Sequence, residues 1–248
     1  MRDAFKTVAK WALAQTSFRL VRAPINRFQA IEESLQHLKE LGYAPGMIID
    51  GGAHLGDFAL LAQRLFPATT IHLIEPQPAC QNAVRQLALQ HGFTVHPVAL
   101  VSPEETGKPI FMAAGIEAST GAYIVPPADR VPANVRVNAS TLDQIFGPRV
   151  SPKDRVLLKL DLQGYELRAL RGAVDVLRSV EVLLTEVSFF AQAYEPSIFE
   201  LVEFLDKNDF DLFDVAALSA RARDNRLKQG DLLFVKRGSN LAVDTRWA

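Results

Sequence analysis

Residues 46–57, GMIIDGGAHLGD, decide the fold. The apolar run Met47–Asp50 ends on an acid, breaks into glycines and passes into the helical pattern of Leu55–Leu65, which is how a doubly wound α/β sheet enters its first helix. In such a sheet the ligand lies beyond the carboxyl ends of the strands, at this turn. Gly52 and Gly56 are read as positions where the backbone approaches a ligand and the helix approaches the strand, because a side chain there would collide. The expected ligand is a nucleotide or nucleoside.

Outward from that turn the alternation continues. Further strands are expected at Thr70–Glu75, Thr94–Leu100, Val156–Asp161, Val180–Glu186, Asp211–Val215 and Leu232–Lys236. Helices are expected at Ile25–Leu41, Pro78–Gln90, Tyr165–Arg178 and Ser197–Asn208. Apolar strands alternating with helices specify a parallel sheet covered on both faces. Residues 107–138, with Pro109, Pro126, Pro127 and Pro132, break the alternation and read as an insertion of loops and short strands, where substrate contacts often lie. The expected organisation is an N-terminal helical extension over residues 1–45, one domain over 46–238 containing that insertion, and a tail over 239–248.

The 248 residues are 48% hydrophobic, enough for a sizeable core, and the formal net charge of -1 offers no global field for nucleic acid. Cys80 is the only cysteine, so neither an intramolecular disulfide nor a cysteine metal cluster can form, and a cytoplasmic setting is expected. No apolar run reaches transmembrane length. Residues 1–28 carry six basic side chains against Asp3 alone, with Phe5, Val8, Trp11 and Ala12 at near-helical spacing. This basic amphipathic helix could lie on an anionic membrane surface; the favoured reading is a lid or a homodimer contact.

Acids recur at the strand ends. Glu75 stands 24 positions after Gly51, where a carboxylate can accept hydrogen bonds from both hydroxyls of a ribose. His54 occupies the place of the second glycine of a dinucleotide fingerprint, which disfavours a pyrophosphate, and Asp50 suits the cationic aminoacyl part of S-adenosylmethionine. Asp161 ends the buried strand of LLKLDLQGYELRALRGA, and Glu186 ends the next. A buried acid costs desolvation unless it has a task or a partner.

IIDGGAHLGDFALLA, HLIEPQPA, STLD, LLKLDLQGYELRALRGA, TEVS and GDLLFVKR, in this order across about residues 47–237, resemble the FkbM family of S-adenosylmethionine-dependent methyltransferases. The resemblance implies a Rossmann-like sheet of seven mostly parallel strands with an antiparallel final hairpin. It implies methyl transfer to a hydroxyl of a sugar, glycan or natural product. Asp50, Gly52, Ala53, His54 and Gly56 would form the methionine end of the cofactor site, and Glu75 would hold the ribose.

In that strand order the ends carrying Asp161 and Glu186 are neighbours. The two carboxylates would either share a proton, one serving as general base, or hold a divalent cation. The base is favoured and no metal site is assigned, since no third oxygen ligand is evident. Asp161 and Glu186 are therefore the candidate catalytic residues. His37, His72, His91 and His96 lack metal-ligand spacing, and no serine sits in a hydrolase turn. A non-catalytic relative that binds a nucleoside or a partner, and a nicotinamide-dependent oxidoreductase, are the alternatives.

Overall fold

A computed structural model of the chain describes residues 26–114, 117–125, 135–190, 197–221 and 223–242. Apart from its last three positions, the basic helix expected over residues 1–28 lies outside them. Seven strands make the main sheet: β1 (Met47–Gly51), β2 (Thr70–Ile74), β3 (Thr94–His96), β4 (Val156–Leu160), β5 (Val180–Ser188), β6 (Phe210–Ala220) and β7 (Leu227–Lys236). Their spatial order is β3-β2-β1-β4-β5-β7-β6, parallel from β3 to β5, with β7 antiparallel to both β5 and β6. This is the expected doubly wound sheet with its antiparallel final hairpin.

Among the described residues six helices accompany it: α1 (Arg27–Glu40), α2 (Asp57–Leu65), α3 (Gln81–His91), α4 (Leu142–Phe146), α5 (Glu166–Arg171) and α6 (Ile198–Lys207). Strand β4, VLLKL, is buried at all five positions because both faces of the sheet are covered. On one face Ile31, Leu35 and Leu38 of α1 pack with Phe58, Leu61 and Ala62 of α2 against Ile48, Leu157 and Val235. On the other, Leu170, Leu201 and Leu205 pack with Ile49, Leu158 and Phe234. Helix α1 thus belongs to the core of the sheet domain. It starts at Asn26, whose side chain accepts from the Gln29 N–H at 2.9 Å, an N-cap that fixes where Arg27 emerges.

Several elements differ from their expected extents; β7, for one, begins at Leu227 instead of Leu232. The Thr94–Leu100 strand ends at His96, because Pro97 cannot donate to the ladder. Residues Ala99–Leu100 then pair with Ala139–Ser140 in a separate two-stranded sheet. The Tyr165–Arg178 pattern splits into α5 and a 3₁₀ turn at Val176–Arg178, where the Asp143 carboxylate accepts the N–H groups of Asp175 (3.0 Å) and Val176 (2.9 Å). Strand β6 runs well past Val215, its pairing with β7 shifted at three places. The insertion folds as a three-stranded antiparallel sheet, Ile110–Ala113 between Tyr123–Ile124 and Val135–Val137. Among the described residues no helix is long and apolar enough to cross a membrane.

Candidate functional site

The β1–α2 turn is tight for a reason internal to the protein. Gly52 has φ +77°, and a Cβ there would stand 1.9 Å from the Asp161 carbonyl oxygen; Gly56 has φ +90°, and its Cβ would stand 2.2 Å from Cδ2 of Leu87. The close approach expected of a ligand is made by the chain itself, with β4's exit pressed onto the turn and α3 onto the start of α2. A cleft, open to solvent, lies beyond the strand ends. Of the expected site residues, Gly52, Ala53, His54, Glu75 and Asp161 form its walls, while Asp50, Gly56 and Glu186 do not.

Asp50 is fully buried, and its register partner on β4 is Lys159. The Lys159 Nζ lies 2.9 Å from Asp50 Oδ1 and donates to the carbonyls of Gly52 (2.9 Å) and Gly51 (3.3 Å). Burial alone would discharge the lysine, but the Asp50 and Asp161 charges outweigh it and hold its pKa above the ordinary value. The charge of Asp50, expected to meet the cationic end of a cofactor, is thus already met by Lys159.

Glu75, at the end of β2 and 2% exposed, accepts the His54 N–H on Oε2 (2.7 Å) and the Gln77 N–H on Oε1 (2.8 Å). Burial raises its pKa against these two bonds. His54 adopts φ 50°, and its Nε2 is buried without a hydrogen-bond partner among the described residues. The same cleft is lined by the apolar Val98, Leu100, Met112, Ala122 and Ile124.

Asp161 and Glu186 are brought together, as their neighbouring strands require. One nitrogen, Gln163 Nε2, donates to Asp161 Oδ1 (2.9 Å) and to Glu186 Oε2 (3.2 Å). Gln163 reaches both because it takes φ 53° in a loop whose Leu162 and Gly164 N–H groups donate to the buried Glu166 carboxylate, at 2.6 and 3.0 Å. On the opposite side stands Arg27, the first residue of α1. Its Nη2 lies 3.0 Å from Asp161, 3.2 Å from Glu186 and 2.5 Å from Asp231, while its Nε donates to Asp231 at 2.6 Å.

Asp231 of β7 is the direct register partner of Glu186. Like charges opposed on adjacent strands repel, so the pair requires a cation, and Arg27 supplies it. Burial and then the Asp161 charge push Glu186 up to about 7. For Asp161 burial acts upward too, but Lys159 and Arg27 outweigh it and hold its carboxyl below the usual range. Among the described residues no group of three or more His, Cys, Asp or Glu side chains is arranged to hold a metal ion.

Sequence reasoning missed Arg27, Gln77, Lys159, Gln163 and Asp231. Lys159 carried a signal, since a lysine inside an apolar strand demands a buried acid. Arg27 carried none, being one of six basic residues near the N-terminus. His72 and His96 meet through the β2–β3 pairing, their rings stacked and Nδ1 of the first 3.1 Å from Nε2 of the second, away from the cleft walls. Arg221 and Arg226 of the β6–β7 turn lie over the Phe190 ring, 5.6 and 4.8 Å from its centroid.

A parallel sheet in the order β3-β2-β1-β4-β5, closed by the β6–β7 hairpin, with an acid-rimmed cleft at its carboxyl edge, is the architecture of the Rossmann-like methyltransferase fold. Residues 50–212 match the Methyltransferase FkbM domain, and the chain belongs to that family. Among solved structures it is similar to the methyltransferase FkbM of Methylobacillus flagellatus KT (16% identity, 76% of this chain and 43% of that one, TM-score 0.45). It is also similar to an rRNA methylase of Streptococcus thermophilus (13% identity, 88% and 99%, TM-score 0.48). A third likeness is to the 1,6-didemethyltoxoflavin-N1-methyltransferase of Burkholderia thailandensis with bound S-adenosylhomocysteine (11% identity, 85% and 78%, TM-score 0.45). The chain spans less than half the length of the Methylobacillus protein. No curated protein matches it in sequence.

The cofactor of the family is S-adenosylmethionine. The cleft fits it on two counts: an apolar slot beside a buried carboxylate suits an adenosine, and the free Nε2 of His54 leaves one buried polar atom for a ligand to satisfy.

Proposed function

We propose that the chain methylates a hydroxyl oxygen of a small sugar, glycan or natural-product acceptor. The observation that carries this reading is the Asp161–Glu186 pair, bridged by Gln163 Nε2 at 2.9 and 3.2 Å and faced by Arg27 at 3.0 and 3.2 Å, in which burial pushes Glu186 up to about 7 while Lys159 and Arg27 hold Asp161 below the usual range. A hydroxyl is a poor nucleophile until its proton is drawn off, and a carboxylate pair titrating near neutrality is suited to take it.

When bound, S-adenosylmethionine supplies a methyl group on a positively charged sulfur. In our reading Glu75 accepts the ribose hydroxyls, and Gly52, Ala53 and His54 hold the methionine end. Asp161, in the cleft wall, orients the acceptor hydroxyl, and the proton comes to rest on the coupled Asp161–Glu186 pair. Arg27 and Gln163 keep those carboxyls in place, and the insertion and α1 line the cleft.

Calorimetry with S-adenosylhomocysteine and with NAD tests the cofactor site: the first is expected to bind and the second not. Incubating the protein with S-adenosylmethionine and a set of hydroxylated, aminated and thiol acceptors then tests the chemistry, read by mass. Methylation of amines or thiols alone would overturn the choice of oxygen while leaving the cofactor site standing.

A further inference from the structure

A carboxamide of the sheet domain grips the backbone of the insertion. Gln77, 5% exposed and two residues past Glu75, donates from Nε2 to the Ser119 carbonyl (3.0 Å) and accepts the Ser119 N–H on Oε1 (3.2 Å). These are the two bonds a neighbouring strand would make with that peptide, supplied here by a side chain. The same residue donates its backbone N–H to Glu75 (2.8 Å), and Gln77, Ser119, Thr120 and Ala122 all face the cleft.

Resting on the adenosine site proposed above, we infer that Gln77 is a positioning residue: it clasps the segment 117–122 over the nucleoside end of the cleft and locks that cover to the ribose-binding acid. Three properties make the clasp specific. A doubly bonded carboxamide fixes both the distance and the rotation of the Ser119 peptide, which one bond would leave free. The strands on either side, Ile110–Ala113 and Tyr123–Ile124, pair with each other and with Val135–Val137 instead of with the main sheet; Ala122 packs in the apolar cluster of Ala99 and Tyr165, but that packing leaves the Ser119 backbone groups to be oriented by Gln77. And Glu75 cannot shift toward a ligand without moving the Gln77 backbone and, through it, Ser119.

The test is Gln77→Glu, which keeps size and shape but replaces the donor to the Ser119 carbonyl with an oxygen that repels it; Gln77→Ala is the companion. For Gln77→Glu the dissociation constant of S-adenosylhomocysteine and the KM for S-adenosylmethionine are expected to rise about 10-fold, the scale of a lost hydrogen bond to a buried group. The kcat should change less than about threefold, and amide exchange over residues 117–122 should quicken in the ligand-free protein, with melting near the wild-type temperature. Wild-type affinity and unchanged exchange in both variants would overturn the clasp while wild-type binding still upholds the adenosine site. A parallel fall in kcat and melting temperature would also overturn it, since Gln77 would then be a general structural residue. Failure of the wild-type protein to bind either ligand would remove the adenosine site and the clasp with it.

Discussion

Asp50 and Lys159 face each other across β1 and β4 as a buried ion pair, 2.9 Å apart, under the turn that opens the cleft. Taking one partner away leaves the other charged in a dry interior, which costs about 3–5 kcal/mol. Lys159→Met is expected to destabilise the protein by that amount in urea titration. Lys159→Met combined with Asp50→Leu should recover most of the loss. A single variant as stable as wild type would mean that Asp50 is protonated in the native state.

Glu75 is the acid our reading gives to the ribose, and it also holds the His54 and Gln77 backbones. Glu75→Ala should weaken S-adenosylhomocysteine binding by about 1–3 kcal/mol, the scale for a charged hydrogen-bonding group. Calorimetry giving the wild-type constant would put the ribose elsewhere.

Asp161→Asn and Glu186→Gln should each retain cofactor affinity and lower turnover at least ~100-fold, within the range of a lost acid–base group. Arg27→Gln adds a pH readout. Without the guanidinium both carboxyls become harder to ionise, so the acid limb of the kcat/KM profile should move to higher pH. Near wild-type rates in both carboxyl variants would leave His54 as the next candidate base.

Glu166 is 3% exposed, and burial pushes its carboxyl up to about 8 against the backbone donors around it. A carboxyl raised from its unfolded value of 4.5 stabilises the fold most below that value, and the contribution is lost as pH rises toward 8. Within this window each pH unit removes on the order of 1.4 kcal/mol. Glu166→Gln, which cannot ionise, should flatten that decline in denaturation curves recorded between pH 5 and 8. An unchanged slope would show that Glu166 carries its charge throughout.

The centre of the sheet was legible because β1, β2 and β4 are short, apolar and followed by acids or glycines, and because β5 carries an acid near its end. Pairing the neighbouring strand ends also anticipated that Asp161 and Glu186 meet. What could not be read was the set of partners. The opposition of Glu186 and Asp231 depends on hairpin register, and Arg27 reaches them from more than a hundred positions away. The glycines of GMIIDGGAHLGD were correctly read as a demand for close approach, but sequence cannot say whether the approaching atom belongs to a ligand or, as at Gly52, to the Asp161 carbonyl.

Arg27 and Asp231 are separated by 204 positions in the chain. At the rim of the cleft the first described helix and the β7 strand therefore meet through a guanidinium–carboxylate contact, and the cleft is walled only once residues far apart in the chain are in hand. During synthesis the carboxylates of β4 and β5 emerge with Arg27 already made but with Asp231, its tightest partner, still to come. Contacts of such long range carry the largest loop-closure cost and form late. A ribosome-bound chain stopped before residue 227 would carry the glycine turn and Glu75 yet lack the strand that seats Arg27, so competence to hold an acceptor should arrive in one step once β7 has been made.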